Sequence, residues 1–277
     1  MNNFKYGFMD LHALEYFSAY AEPGPRGHFH KVTALHEDPL LDWTQVSRMV
    51  PGICRGWYEL ARLNVKDRIE FTRDFWLAKL PYQPDVHQFF MKFFDSLDDV
   101  GVFLTQKMSE EPFVAHLVYS LADNNGFFHG CSPAKEEDLV DLQKEFTDYI
   151  LPNDYLSFLQ IHNGFAKLTD TGVFPSTKIK ERFDLFQKIL REGDVPITTM
   201  KGVPLNPASL IPFYESFGMP FFQCFWGEWY PEQEMGNVYY SCEERKISTC
   251  ESKEQCGETL AFQTFMGWLM FYLEKIE

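Results

Sequence analysis

The stretch SPAKEEDLVDLQKEFTDYILPNDYLSFLQIHNGF, residues 132–165, restricts the fold more than any other part of the chain. It reads as a helix, a sharp corner, a second helix and a glycine stop. Ser132 is placed to cap a helix whose first residue is Pro133, where the missing N–H does no harm. Glu136, Glu137 and Asp138 suit the positive end of that helix. Leu139, Leu142, Phe146 and Ile150 recur at helical spacing and form its apolar face. Leu151-Pro152 then forces a corner, because the residue before a proline avoids the helical region. Pro152 starts a second short helix with Tyr155, Phe158, Leu159 and His162 along one side. Asn163-Gly164 closes it, glycine being suited to the left-handed position past a helix end.

What precedes this stretch changes character near residue 98. Up to Leu97 the spacing predicts helices over residues 4–20, 39–50, 53–63 and 66–79, and one more opened by Pro84. In the last, Val86, Phe89, Phe90, Phe93, Phe94 and Leu97 make a wide stripe at i, i+3, i+4, i+7, i+8 and i+11. From Val100 the period shortens. GVFLTQK and PFVAHLVYSL read as two strands joined by the polar link Met108–Glu111, a hairpin, and Asp123-Asn124-Asn125-Gly126 is a turn. Charge shifts at the same place. Residues 1–97 hold 11 Lys+Arg against 12 Asp+Glu, a net −1, and the remainder holds 14 against 28, a net −14. That surface repels a phosphate backbone, which argues against nucleic acid, and attracts a basic protein.

The string Leu151-Pro152-Asn153-Asp154-Tyr155, followed by Phe158-Leu159 and Asn163-Gly164, resembles the hallmark segment of the SMI1/KNR4 (SUKH) family. The run Ser209–Phe213, a strand at Phe221–Phe225, the Trp226-Gly227 turn, a strand from Gly236 to Tyr240 and a final helix over Glu258–Lys275 stand where that family has them. The departures are Gly236-Asn237 where the family often has Gly-Asp, Ser241-Cys242 in place of an acid, and a helical insertion over Phe174–Arg191. The resemblance covers roughly residues 98–277 and implies an α+β fold, a mostly antiparallel sheet with helices on one face. The helical residues 1–97 then form a separate region packed against it. Leu151, Pro152, Asp154, Tyr155, Phe158, Leu159, Asn163 and Gly164 read as makers of that fold. For function the resemblance implies protein binding without catalysis: bacterial members of the family look like immunity proteins that neutralise toxin domains, often nucleases, and fungal members are regulatory scaffolds.

Few residues suggest chemistry. His28 and His30 could share a metal if the loop were extended, yet no third ligand stands near them in sequence. Cys224, Cys242, Cys250 and Cys256 are separated by 18, 8 and 6 residues, unlike the close pairs of structural zinc sites, and serve only if strands bring them together. No nucleophile elbow, phosphate loop or zincin motif occurs. The best candidate is Phe225–Glu234, in which Trp226, Trp229 and Tyr230 are interleaved with Glu228, Glu232 and Glu234. Aromatics of this kind anchor protein interfaces, and the acids suit a basic partner. The alternative is a loop whose tryptophans merely tie it to the core.

These readings converge on an acidic, non-catalytic binding module, with no cofactor and no bound metal, facing a basic protein such as a toxin domain. A regulatory scaffold, or a metalloprotein whose site is assembled only in space, are the alternatives. No signal peptide and no apolar run long enough to span a bilayer is visible, so a cytoplasmic location is expected.

Overall fold

The computed structural model describes residues 9–20, 27–192, 196–219, 221–249 and 259–274. The chain divides into two compact units that interleave along the sequence. Residues 1–79, 87–133 and 165–169 make the first; residues 80–86, 134–164 and 170–277 make the second. The change of period near residue 98 therefore marks the start of a strand within the first unit, whereas the division between units lies elsewhere.

In the first unit, β1 (Lys31–Ala34), β2 (Leu97–Gln106), β3 (Val114–Leu121), β4 (Phe127–Cys131) and β5 (Phe165–Lys167) lie side by side in that order, every neighbour antiparallel. The β2–β3 hairpin is the one read from sequence. β1 carries no such signal, since its four residues are too few to set a period. The helices are α1 (Leu11–Tyr16), α2 (Trp43–Met49), α3 (Arg55–Leu60), α4 (Val65–Lys79) and α5 (Pro84–Asp95), the last beginning in the second unit. α2 starts later than its apolar spacing suggests, because Asp42 and Gln45 close a reciprocal capping box there. The stripe of α5 is buried as expected at Val86, Phe90, Phe93 and Phe94.

Both faces of this sheet are covered. On one, the Trp76 ring of α4 sits among Phe90, Phe94, Tyr119 and Phe165, and its Nε1 donates to the Tyr119 hydroxyl at 2.9 Å. Trp76 has no exposed surface, and burying a ring of this kind contributes roughly 2–3 kcal/mol. On the other, Ala13 and Phe17 of α1, with Met9 and Phe29, pack on Phe103, Val118 and Phe127.

In the second unit, β6 (Gly172–Val173), β8 (Leu210–Glu215), β9 (Phe221–Trp226), β10 (Asn237–Ser241), β11 (Lys246–Ile247) and β7 (Thr198–Thr199) are neighbours in that order, and β12 (Ala261–Phe262) pairs with β10. Only β11 and β7 run parallel. α7 (Asn153–Leu159) and α9 (Phe265–Leu273) cover the face that carries Phe213 and Phe225, while α8 (Ser176–Arg191) covers Phe222 and Tyr240 on the other. The fold is thus α+β with mostly antiparallel pairing, as expected, but helices lie on both faces of the strands. The near-continuous apolar run Phe221–Phe225 is what a strand buried on both sides requires.

Three local expectations are corrected. α6 (Glu136–Glu145) begins beyond Pro133: Lys135 is its cap, and Asp138 reaches back to accept the Lys135 N–H at 2.9 Å. Ile150, assigned to the apolar face, is 81% exposed, because α6 ends before reaching it. The last helix starts only at Phe265, after Thr264 caps it, and Phe262 belongs to β12.

Candidate functional site

The corner at Leu151-Pro152 sets the site. Pro152 is the cap of α7, and Leu151 in front of it is buried. One turn of α7 then directs Asp154 inward. Its Oδ1 accepts the Tyr155 N–H at 2.8 Å and its Oδ2 accepts the Met266 N–H at 2.9 Å, in the first turn of α9. Thr264 Oγ1 accepts the Gly267 N–H at 3.0 Å, so side chains already hold two donors of the α9 terminus. Asp154 thereby ties α7 to α9. Burial pushes its carboxyl up to about 6, the nearby Glu234 adding to the shift and the Met266 N–H opposing it.

The other motif residues serve packing. Tyr155 lies among Phe213, Phe225 and Phe265, and Phe158 lies on Phe265. Leu159 and His162 are buried, His162 just past the end of α7. Asn163 Oδ1 accepts the N–H of Ser176, the first residue of α8, at 2.6 Å. Gly164 has φ 107°, a conformation that favours glycine.

The aromatic and acidic loop leaves β9 at Trp226 and returns at β10. It is closed at both ends by rings lying on glycines. A Cβ on Gly236 would stand 2.4 Å from Trp229 Cε3, and one on Gly227 would stand 2.3 Å from Tyr149 Cε1. Two backbone bonds on Gly236, its O accepting the Trp226 N–H at 3.0 Å and its N–H donating to Trp229 O at 2.9 Å, fix the return. Trp229 is accordingly an anchor, half-buried, with the Trp226 ring 6.3 Å away. Trp226 Nε1 is buried without a hydrogen-bond partner. Glu228, Tyr230 and Glu232 are exposed. Glu234 turns inward, its Oε2 accepting the Asn153 N–H at 3.2 Å.

Inside this loop a groove of about 730 Å³ opens within the second unit. Asp154, Glu232 and Glu234 line it together with Gln83, Gln263 and Phe262. Among the described residues that line it there is no lysine, arginine or histidine. The groove is thus a set of acceptors with one apolar wall, suited to a cation or to amide donors. Of the six loop residues singled out by sequence, Glu232 and Glu234 reach the groove, Glu228 and Tyr230 lie outside it, and Trp226 and Trp229 hold the loop. Spacing gave no sign of Gln83 or Gln263, since residues so distant in sequence meet only when the chain folds. Tyr149 was also missed; burial raises its hydroxyl pKa, with Asp148, Glu228 and Tyr230 adding to the shift, which places it beside the exposed end of the loop.

The remaining candidates stay apart. Among the described residues no group of three His, Cys, Asp or Glu side chains is placed to hold a metal ion. His28 lies 4.7 Å from the Tyr16 ring, while His30 is exposed. Cys224 and Cys242 are free thiols, and Cys250 and Cys256 lie outside the described residues. Among the described residues no helix is long and apolar enough to cross a membrane.

Residues 133–269 match the model of the SMI1 / KNR4 family (SUKH-1). The matched stretch begins just after β4 and contains the whole of α6, α7, the loop and β12. No curated protein and no solved structure matches the chain.

Proposed function

Residues 133–269 form an SMI1/KNR4-family (SUKH-1) domain, and on that premise we propose that the chain is a non-catalytic binding protein of the immunity type, which docks a basic toxin domain on the loop Trp226–Glu234. The observation that carries this reading is the gathering of Asp154, Glu232 and Glu234 round one groove, beside the exposed Tyr230 and Glu228, with no basic side chain in the lining. Net charge supports it: the −14 of residues 98–277 would steer a basic cleft toward this surface and compete there with a phosphate backbone. Trp229 and Tyr149, each seated on a glycine, hold the loop rigid, so docking costs little ordering entropy.

The test is whether the immobilised chain retains a basic domain encoded by a gene next to its own. Affinity should fall steeply as salt rises. The double change Glu228→Gln with Tyr230→Ala should weaken it about tenfold or more, through loss of one rim charge and one aromatic contact, while the melting temperature stays put. Absence of any retention at low salt counts against the reading.

A further inference from the structure

The groove under the loop has a more specific chemistry than negative charge. Asp154 is buried, and among the described residues its Oδ1 meets the Tyr155 N–H and its Oδ2 the Met266 N–H. Glu234 meets the Asn153 N–H. Among the described residues neither carboxylate takes part in an ion pair. A carboxylate has about four acceptor positions, so both retain capacity. The first-turn donors at Met266 and Gly267 of α9 are already held by Asp154 and Thr264, which removes the usual attraction of a helix start for anions. What is left, among the described residues, is spare acceptor capacity on Asp154 and Glu234. Burial raises the Asp154 carboxyl, and the nearby Glu234 adds to the shift.

We propose that this groove receives an arginine side chain from the docked partner, its guanidinium between Asp154 and Glu234 and its stem along Phe262. This rests on the reading that the loop docks a basic protein. Two features select arginine over lysine, and a third serves the stem of either. A planar guanidinium bonds two acceptors in a fixed fork, whereas an ammonium is a point charge that holds its water more tightly. Gln83 and Gln263, on the groove lining, offer further carbonyl acceptors for its five N–H donors. Phe262 and Pro81 give the methylene stem an apolar wall.

The probes are hexa-arginine and hexa-lysine peptides, their binding to the full chain read by fluorescence anisotropy at low salt. Hexa-arginine should bind at least about threefold more tightly than hexa-lysine. Gln263→Lys puts a cation into the groove from within and should weaken hexa-arginine about tenfold; Glu234→Gln, which removes charge without adding bulk, should weaken it about fivefold. Glu243→Gln makes the same one-unit charge change on an exposed turn away from the groove and should shift binding by less than about twofold. Equal losses in Gln263→Lys and Glu243→Gln, equal affinity for the two peptides, or no peptide binding at all would each overturn the assignment. The loop reading is judged separately. Retention of the toxin domain that survives Gln263→Lys but not Tyr230→Ala leaves docking intact and removes only the arginine site.

Discussion

In the first unit the Arg68 guanidinium lies 2.6 Å from Asp99, also donates to the carbonyls of Val100 and Leu63, and both charges are nearly sealed from water. In the second unit Asp154 is buried to a similar depth, and the partners that reach it among the described residues are backbone N–H groups. His116 and Asp154 differ in the same way. Burial and its neighbour His129 push the His116 imidazole down to about 3, so it stays neutral between strands. Asp154 is pushed up to about 6 yet remains mostly ionised near pH 7. The first unit pairs the Asp99 charge with Arg68 and keeps His116 neutral; the second leaves the Asp154 carboxylate on the lining of a groove. An uncompensated charge held in place by a rigid fold is the kind of feature that binding sites retain at a cost to stability.

Breaking the closed pair should have the largest effect. Arg68→Met leaves Asp99 buried without its partner and should cost about 3–5 kcal/mol in denaturant unfolding, while the double change with Asp99→Leu recovers most of it. Peptide binding by whatever remains folded should be unchanged. Asp154→Ala strips the acceptor from the Tyr155 and Met266 N–H groups and should cost less, roughly 1–3 kcal/mol, partly offset because a buried charge goes with it. A larger loss from Asp154→Ala than from Arg68→Met would invert the comparison.

Acidity should separate the units further. Asp154 holds its proton more tightly folded, about 6, than its ordinary value of 3.8, so the second unit should gain stability as pH falls from 7 toward 4. His116 is the opposite case: below its ordinary 6.5 the unfolded chain takes up a proton that the folded one refuses, and the first unit should lose stability over the same range. His36, pushed down by burial, adds to that loss, and Asp98, pushed up to about 6, offsets part of it. Each principal effect amounts to roughly 1–2 kcal/mol between pH 7 and pH 5. Hydrogen exchange, corrected for intrinsic rates, should show amides of β3 and β4 opening more readily at pH 5 and those of α7 and α9 less readily. His116→Gln and Asp154→Ala should flatten the respective trends. The smallest effect belongs to exposed pairs such as Lys144–Asp141, where Lys144→Ala should change unfolding by about 0.5 kcal/mol or less.

Elements with a strong period were legible in the sequence. The stripe of α5, the β2–β3 hairpin and the Pro152 corner with α7 after it follow from spacing and turn residues, whereas β9 and β10 were placed by the family resemblance. Errors cluster where one side chain overrides a pattern. Asp138 capping its own helix shifts the start of α6 from Ser132 to Lys135, and Thr264 capping α9 leaves Phe262 to a strand. The site was half legible. The loop announced itself through Trp226, Trp229 and its acids, but the groove did not, because Gln83, Asp154, Glu234 and Gln263 come from four separate stretches. Asp154 reads as a fold-maker in the motif, and it is one; its place on the groove lining gives it a second part.

The interleaving of the two units along the chain bears on how the protein is made. β5, Phe165–Lys167, completes the first sheet, yet it follows α6 and α7 of the second unit. A chain leaving the ribosome N-terminus first cannot finish its first unit until residue 167 has emerged, and the segment carrying the Pro152 corner must wait for α9, more than a hundred residues later, before Met266 can bind Asp154. During that interval the part of α7 that Phe265 covers in the finished fold has no partner, a stretch of apolar surface open while the chain is being made.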